Sequence, residues 1–160
     1  MHLNLGSILQ ATTALQPDHA AVRFGDHTLT SAELDRAARG IATSLRARGI
    51  EPGASVAIMI PNLPEFTQAY YGILYAGCTV VPLNVLLSAP EVQYHLEDSR
   101  ARLLFAHPLF EAPAKTGAAA AGVPVAWAAG AGPDTVASLA SAPPIDAITQ
   151  TLPTDRKSVV

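Results

Sequence analysis

The chain has 160 residues, of which 49% are hydrophobic and 14% are charged, and its formal net charge is −3. This composition is typical of a folded domain with a buried core and excludes an intrinsically disordered chain. The sequence contains no basic cluster that could neutralise phosphates, which argues against a nucleic-acid partner. The single cysteine excludes an intrachain disulfide and favours a reducing, cytoplasmic location.

The first predicted elements are a short helix and a hairpin. Asn4 can cap a helix that ends before Pro17. Two short runs, Ala20–Phe24 and His27–Thr30, then predict a hairpin. The run Thr30-Ser31-Ala32-Glu33 is a capping box and predicts the start of a second helix. The core face of that helix has apolar residues at helical spacing: Leu34, Ala38, Ile41 and Leu45.

The centre of the chain predicts a strand, a helix and a second strand. Val56–Ile60 is a short apolar run typical of a strand that is buried on both faces. Asn62 is predicted to cap the next helix, with Glu65 in the capping-box position. Gly77 is placed to end that helix, and Cys78–Val81 is the second apolar run. Two buried strands joined by one helix predict a parallel βαβ unit.

Further strand and helix signals follow at similar spacing. Ser88–Glu91 is another capping box, Arg102–Ala106 predicts a strand, Pro108–Gly117 a helix and Val123–Trp127 a fourth strand. The predicted fold class is therefore α/β, with a mainly parallel sheet flanked by helices. The composition changes at residue 128, where Ala, Gly and Pro begin to dominate. The segment 128–154 is interpreted as a connecting segment, with at most a helical turn within it.

A transmembrane alternative arises because no charged residue lies between Glu65 and Glu91. A stretch of that length could span a bilayer. Polar and helix-breaking residues interrupt it, however, and its hydrophobic period changes from helical to strand-like. The sequence therefore predicts a buried core and no transmembrane segment.

Few residues suit catalysis or metal binding. The five histidines lie far apart, and none has a partner at metal-ligand spacing. Cys78 begins an apolar run and is interpreted as a buried hydrophobic residue. Glu97 and Asp98 are adjacent, so on a helix they point in different directions and belong to a solvated face. Gly130-Ala131-Gly132 lacks the third glycine of a dinucleotide motif, which favours a turn. No catalytic residue and no metal ligand is predicted.

Two asparagines are the candidate ligand-binding residues. Open α/β sheets bind ligands just beyond the carboxyl ends of their strands. Asn62 and Asn84 both follow predicted strands and could lie on the rim of such a site. The alternative is that they serve only as a helix cap and a turn residue, and the sequence favours that alternative.

Several motifs together resemble one enzyme superfamily. Leu29–Leu34, followed by an arginine-bearing helix that ends near Gly49, resembles the first core motif of the adenylate-forming enzymes. Leu74–Asn84 resembles the second core motif, Gly53–Pro64 is similar to the segment between them, and Glu91–Leu104 is similar to the helix and strand that follow. This superfamily comprises acyl-CoA synthetases, adenylation domains of peptide synthetases and luciferases. Asn84 and the helix after it are more similar to the acyl-CoA synthetases, in particular to the fatty-acid–CoA ligases.

The resemblance implies an ATP-dependent reaction in two steps. A carboxylic (fatty) acid and ATP would give an acyl-adenylate, which coenzyme A would convert to a thioester, with Mg²⁺ neutralising phosphate charge. The superfamily uses a Ser/Thr/Gly-rich loop ending in lysine and a second lysine in a C-terminal domain. Neither motif is present in this sequence. The resemblance therefore implies an inactive N-terminal fragment, without cofactor of its own, whose partner would be the missing C-terminal portion.

This interpretation divides the chain into three parts. Residues 1–127 would be a partial N-terminal α/β subdomain, 128–154 a connecting segment, and 155–160 a non-native tail. The last six residues, DRKSVV, are what a common sequencing adapter encodes in one reading frame. The alternative hypothesis is a stand-alone, non-catalytic interaction or regulatory module on the same scaffold.

Overall fold

The computed structural model describes residues 5–149. Their elements, in chain order, are α1 (Leu5–Leu15), β1 (Ala20–Phe24), β2 (His27–Thr30), α2 (Ser31–Ala47), β3 (Ser55–Met59), α3 (Pro64–Tyr75), β4 (Thr79–Pro82), α4 (Ala89–Asp98), β5 (Ala101–Ala106), a 3₁₀ turn (Pro108–Phe110), α5 (Glu111–Ala121), β6 (Val125–Trp127) and α6 (Val136–Ala140).

The main sheet has four parallel strands in the order β4-β3-β5-β6, and β1 and β2 form a separate antiparallel hairpin. The predicted fold class, a mainly parallel sheet flanked by helices, is confirmed. Strand β3 is central and has a neighbour on each side. Because helices cover both faces of the sheet, both faces of β3 are buried, which explains its uninterrupted apolar sequence.

The two faces of the sheet form two separate cores. Val56 and Ile58 of β3 pack in the core beneath α2, α3 and α6. Ala57 and Met59 of the same strand pack in the core beneath α4 and α5. This division follows from the alternation of side chains along a strand. All four residues have no exposed surface.

Two of the three predicted capping boxes are confirmed. The Thr30 hydroxyl accepts a hydrogen bond from the Glu33 backbone, and the Glu33 carboxylate accepts one from the Thr30 backbone at 2.8 Å. Ser88 and Glu91 form the same reciprocal pair at the start of α4. The predicted core face of α2 is also confirmed, because Leu34, Ala38, Ile41 and Leu45 are all buried.

The predicted cap of α3 is wrong. Leu63, not Asn62, occupies the cap position, and no side chain caps this helix. The reason is Pro64. The proline ring forces the preceding residue into extended geometry, here φ −117° and ψ 161° at Leu63, and the proline itself suits the first helical position. The helix therefore begins one residue later than the capping-box pattern predicts.

The segment after β6 packs against the rest of the molecule. The predicted helical turn is present as α6, whose Val136 and Leu139 are 0% and 2% exposed. The chain then runs along α2 as far as Thr149. Asn4 and the segment 155–160, including its interpretation as an adapter-derived tail, lie outside the described residues, and the division into three parts stays a prediction. Within residues 5–149, no helix is long and apolar enough to cross a membrane.

Candidate functional site

The carboxyl edge of the parallel sheet is where a ligand site is expected. Because the four strands are parallel, their carboxyl ends meet at this edge. Asn62 follows β3, Asn84 follows β4, and His107 follows β5. The structure therefore places both predicted candidates on adjacent strand ends, and it adds a histidine on the third.

Asn84 has a turn role. Its side-chain oxygen accepts a hydrogen bond from the Leu86 backbone N–H at 2.9 Å, and its backbone carbonyl accepts one from Leu87 at 3.3 Å. These two bonds turn the chain from β4 toward α4. The side-chain oxygen is thus engaged within the chain, and the geometry accounts for Asn84 without a ligand.

Asn62 is less constrained. Its side chain is exposed and makes no hydrogen bond with the part of the chain that the structure describes. It lines a cavity of about 160 Å³ between the hairpin and the start of α3, together with Arg23, Phe24 and Phe66. An amide, a guanidinium and two aromatic rings could hold a small polar group. The cavity is too small to enclose a nucleotide.

His107 is the edge residue that sequence reasoning missed. Its Nδ1 accepts a hydrogen bond from the Leu109 backbone N–H at 3.2 Å and so caps the 3₁₀ turn. Its ring lies edge-on to Phe110, with 6.5 Å between the ring centroids. The only available signal was its position, directly after an apolar run and before Pro108.

Potential metal ligands are not clustered in the described residues. Mg²⁺ is usually bound by one or two carboxylates together with phosphate oxygens. Residues 5–149 contain no group of three or more His, Cys, Asp or Glu side chains that could hold a metal ion. The carboxyl ends of the strands are followed by two amides, Asn62 and Asn84, and by the imidazole of His107.

Cys78 is a buried free cysteine. It lies at the amino end of β4, opposite the candidate edge, and is 5% exposed. Burial raises the pKa of its thiol to about 11. The sulfur lies 3.5 Å from the carbonyl oxygen of Glu51. Since the thiolate is the nucleophilic form, the predicted role of a buried hydrophobic residue is confirmed.

A polar network inside the α2–α3 contact was not predicted. The Tyr75 hydroxyl donates to one oxygen of Asp35 at 2.6 Å, and Arg39 Nε donates to the other at 2.7 Å. The guanidinium also lies 5.6 Å from the centre of the Tyr75 ring. Burial and the neighbouring Asp35 carboxylate raise the pKa of Tyr75 well above its usual value. The network lies away from the sheet edge and joins two helices.

Comparison with known proteins identifies clear relatives. The sequence model of the family described as AMP-binding enzyme matches residues 9–157. The chain is 39% identical over 104 residues to feruloyl-CoA synthase from an Amycolatopsis species, a match that covers 65% of this chain and 21% of that protein. It is 36% identical over 100 residues to the long-chain-fatty-acid–CoA ligase of Bacillus subtilis strain 168, covering 62% of this chain and 18% of that protein.

The fold has close counterparts among solved structures. A benzoate CoA ligase from Burkholderia xenovorans LB400 superposes with a TM-score of 0.85 at 24% identity, over 94% of this chain and 31% of that one. The resemblance indicated by the sequence motifs is thus confirmed, and the fold matches part of a larger enzyme. The chain spans only 21% and 18% of the length of the two curated relatives.

Proposed function

The chain belongs to the AMP-binding enzyme family, and from this premise we propose that it is the N-terminal part of an ATP-dependent acyl-CoA synthetase. In the first step, a carboxylate oxygen attacks the α-phosphorus of ATP, which forms an acyl-adenylate and releases pyrophosphate. In the second, the thiol of coenzyme A attacks the acyl carbon, AMP leaves, and the thiol proton is lost to solvent.

The observation that carries this proposal is the family match over residues 9–157, together with relatives that are named as CoA ligases. The carboxylic acid would be a fatty or aromatic acid, as the names of these relatives indicate. The described residues provide the scaffold, namely a buried parallel sheet with its carboxyl edge open. A cytoplasmic location belongs to the same proposal and is supported by the single buried cysteine.

The 160-residue chain is expected to be inactive by itself. The sequence lacks a phosphate loop of the Gly-rich type that ends in lysine, and residues 5–149 contain no group of three or more His, Cys, Asp or Glu side chains that could hold a metal ion. Transfer at phosphorus needs such groups to neutralise the charge that develops. ATP, Mg²⁺ and coenzyme A would therefore bind the longer protein.

ATP–pyrophosphate exchange tests both parts of the proposal. The reading frame in the source genome should be followed past Asp155, and the longer protein and the 160-residue chain should be purified in parallel. We expect exchange that depends on a carboxylic acid in the longer protein and none in the short chain. Exchange catalysed by the short chain would overturn its inactivity, and a longer protein that is inactive with a panel of fatty and aromatic acids would overturn the ligase assignment.

The second candidate function is a stand-alone interaction module on the same scaffold. The observation that favours it is the pair of closed cores, one on each face of the sheet, which a free-standing domain would also need. A genomic stop codon directly after the present last residue would support this candidate. A frame that continues into a Ser/Thr/Gly-rich loop ending in lysine would exclude it.

Asn62 is the better of the two rim candidates for contact with a ligand, because its amide is exposed whereas the side-chain oxygen of Asn84 closes a turn. In the longer protein, we expect Asn62→Ala to raise the KM for a substrate with little change in stability. Asn84→Ala should lower stability and leave turnover per folded molecule unchanged. The reverse pattern would remove Asn62 from the site.

A further inference from the structure

The segment after α6 has no regular structure, but it is held by side chains of α2. Three α2 residues, Arg39, Thr43 and Arg46, reach residues 143–149. We call these three residues the α2 clasp and residues 143–149 the clasped segment. The path of the clasped segment therefore depends on a helix that lies 100 to 107 residues earlier in the sequence.

Arg39 is the centre of the clasp. Its Nε donates to Asp35, while one terminal nitrogen donates to the backbone carbonyls of Ile145 and Asp146 at 3.0 and 3.1 Å. The guanidinium is mostly buried, and the Asp35 carboxylate raises its pKa. A planar fork with several donors fits this arrangement, whereas an ammonium group would not reach all three acceptors.

The clasp recognises the main chain of the segment more than its side chains. The Thr43 hydroxyl donates to the Pro143 carbonyl at 2.6 Å, and one turn of α2 further on Arg46 donates to the Thr149 hydroxyl. The Ser44 hydroxyl adds a bond to the Leu139 carbonyl of α6 at 3.0 Å. Carbonyl acceptors are present whatever the side chains are, and the side chains of Ile145 and Ile148 add apolar packing against the core.

Two glycines lie at close approaches of the chain, Gly40 beside the end of α6 and Gly77 beside the end of the clasped segment. A Cβ on Gly40 of α2 would lie 2.1 Å from the Ala140 carbonyl oxygen, so only glycine fits there. At the other end, the Thr149 backbone N–H donates to the Tyr75 carbonyl at 3.0 Å, and the Thr149 methyl packs against Gly77. The clasped segment thus ends at the amino end of β4.

We propose that the α2 clasp consists of positioning residues, which fix where the main chain passes β4 before it continues into the remainder of the ligase. The inference rests on the proposed function, in which the chain is the N-terminal part of a ligase and the rest of the ligase follows it; the curated relatives are about five times as long as the part matched here. A clasp that sets the position and direction of this exit also sets how the two parts of the enzyme are placed relative to each other.

Hydrogen exchange in the 160-residue chain tests the clasp itself. The reporter is the Thr149 amide, which is bonded to Tyr75. Thr43→Val removes one hydroxyl and keeps the side-chain shape, and Thr43→Ser keeps the hydroxyl. We expect the exchange rate of the Thr149 amide to rise about fivefold or more in Thr43→Val, the size of effect typical of one lost hydrogen bond, and to return toward the wild-type rate in Thr43→Ser.

A second clasp variant and a control variant distinguish loss of the clasp from a general loss of stability. Arg39→Lys keeps a positive charge beside Asp35 but cannot make the fork, so it should act like Thr43→Val. Arg36→Ala changes an exposed arginine of the same helix and should leave the Thr149 amide unchanged. Amides of β3 must exchange at the wild-type rate in every variant used. Unchanged exchange of Thr149 in both clasp variants would overturn the clasp.

Kinetics of the longer protein test the positioning role. We expect Thr43→Val to lower kcat/KM for ATP per folded molecule by at least about threefold, and by up to about a hundredfold if the reacting groups are displaced by an ångström. Thr43→Ser should restore it. If the wild type is active and Thr43→Val has the same kcat/KM, the positioning role is overturned and the clasp stands as a structural feature only. A wild type without ATP–pyrophosphate exchange would overturn the proposed function, and with it the role of the clasp in catalysis. The hydrogen-exchange rate of the Thr149 amide would still test the clasp as a structural feature.

Discussion

Tyr75 is the largest fully buried side chain in the described part of the chain, and its hydroxyl needs a partner there. The Asp35 carboxylate accepts its hydrogen bond at 2.6 Å. We therefore expect Tyr75→Phe to lower the free energy of unfolding by about 1–3 kcal/mol, because the carboxylate loses a donor in a half-buried position. Urea denaturation measures the change. The control is Tyr94→Phe, whose ring is 63% exposed and which should have a negligible effect. Equal effects of the two variants would contradict the importance of this bond.

The two capping-box carboxylates predict a dependence of stability on pH. Hydrogen bonds from Thr30 lower the pKa of Glu33, and those from Ser88 lower the pKa of Glu91, in both cases from an ordinary value of 4.5. A carboxyl whose pKa is lower in the folded state stabilises the fold above its unfolded pKa. That stabilisation is lost as the pH falls through the folded pKa.

We expect the urea midpoint to fall on acidification from about pH 6 to about pH 3, and to fall less in the double variant Glu33→Gln/Glu91→Gln. Glutamine can accept the same capping hydrogen bond but does not titrate. Glu97→Gln, on the exposed face of α4, is the control outside either cap. A double variant with the same pH profile as the wild type would show that the caps do not contribute to acid sensitivity.

Residue roles could be predicted from sequence where the interaction is local. The Thr30 and Ser88 capping boxes each span four residues, so their pattern is visible in the sequence. Asn62 fits the same pattern but does not cap α3, because Pro64 moves the cap position to Leu63. The Asp35–Tyr75 bond joins residues forty positions apart, and no local pattern indicates such a pair.

The contact between α2 and α3 is close enough to be probed by a single substitution. A Cβ on Gly72 of α3 would lie 2.5 Å from the Cγ2 methyl of Ile41 in α2. Alanine normally stabilises a helix interior relative to glycine by about 0.5–1 kcal/mol. Here we expect Gly72→Ala to destabilise the fold by about 1–3 kcal/mol, because both partners are in a tightly packed core.

A double-mutant cycle with Ile41→Ala checks the cause of that loss. If the Cβ of the new alanine clashes with Ile41, the double variant should lose less stability than the sum of the two single variants. Gln68→Ala introduces an alanine at a half-exposed position of the same helix and should be close to neutral. Strict additivity in the cycle would refute the clash.

Most elements could be predicted because each carries its own periodicity. The apolar run of β3 and the helical spacing in α2 both reflect burial that the structure confirms. The path of residues 143–149 could not be predicted. Its main chain is held by side chains of α2 about 100 residues away, and its two apolar residues that pack against the core, Ile145 and Ile148, are too few to set a helix or strand period.

On the scale of the whole molecule, the sheet has an open edge at β4. Within residues 5–149, strand β4 pairs only with β3, whereas β6 pairs with β5 and, through a single bridge at Trp127, with Thr135. Large apolar side chains also lie exposed beyond the carboxyl ends of the strands, including Leu86 at 81% and Leu109 at 79%. An open strand edge can pair with another chain. Since the chain spans about a fifth of its curated relatives, these surfaces are the places where the rest of the longer protein is expected to pack.

The 160-residue chain should therefore associate with itself at increasing concentration, and β4 should contribute. Thr79 is the first residue of β4 and is exposed, so a lysine there places a charge at the open edge without disturbing either core. We expect Thr79→Lys to reduce the average mass measured by light scattering, because edge lysines oppose strand pairing. Thr116→Lys makes the same change on the exposed surface of α5 and controls for net charge. Equal effects of the two variants would mean that charge, not the edge of β4, governs association. A wild type that stays monomeric would mean that the open edge does not need a partner, which would favour the stand-alone module over the fragment.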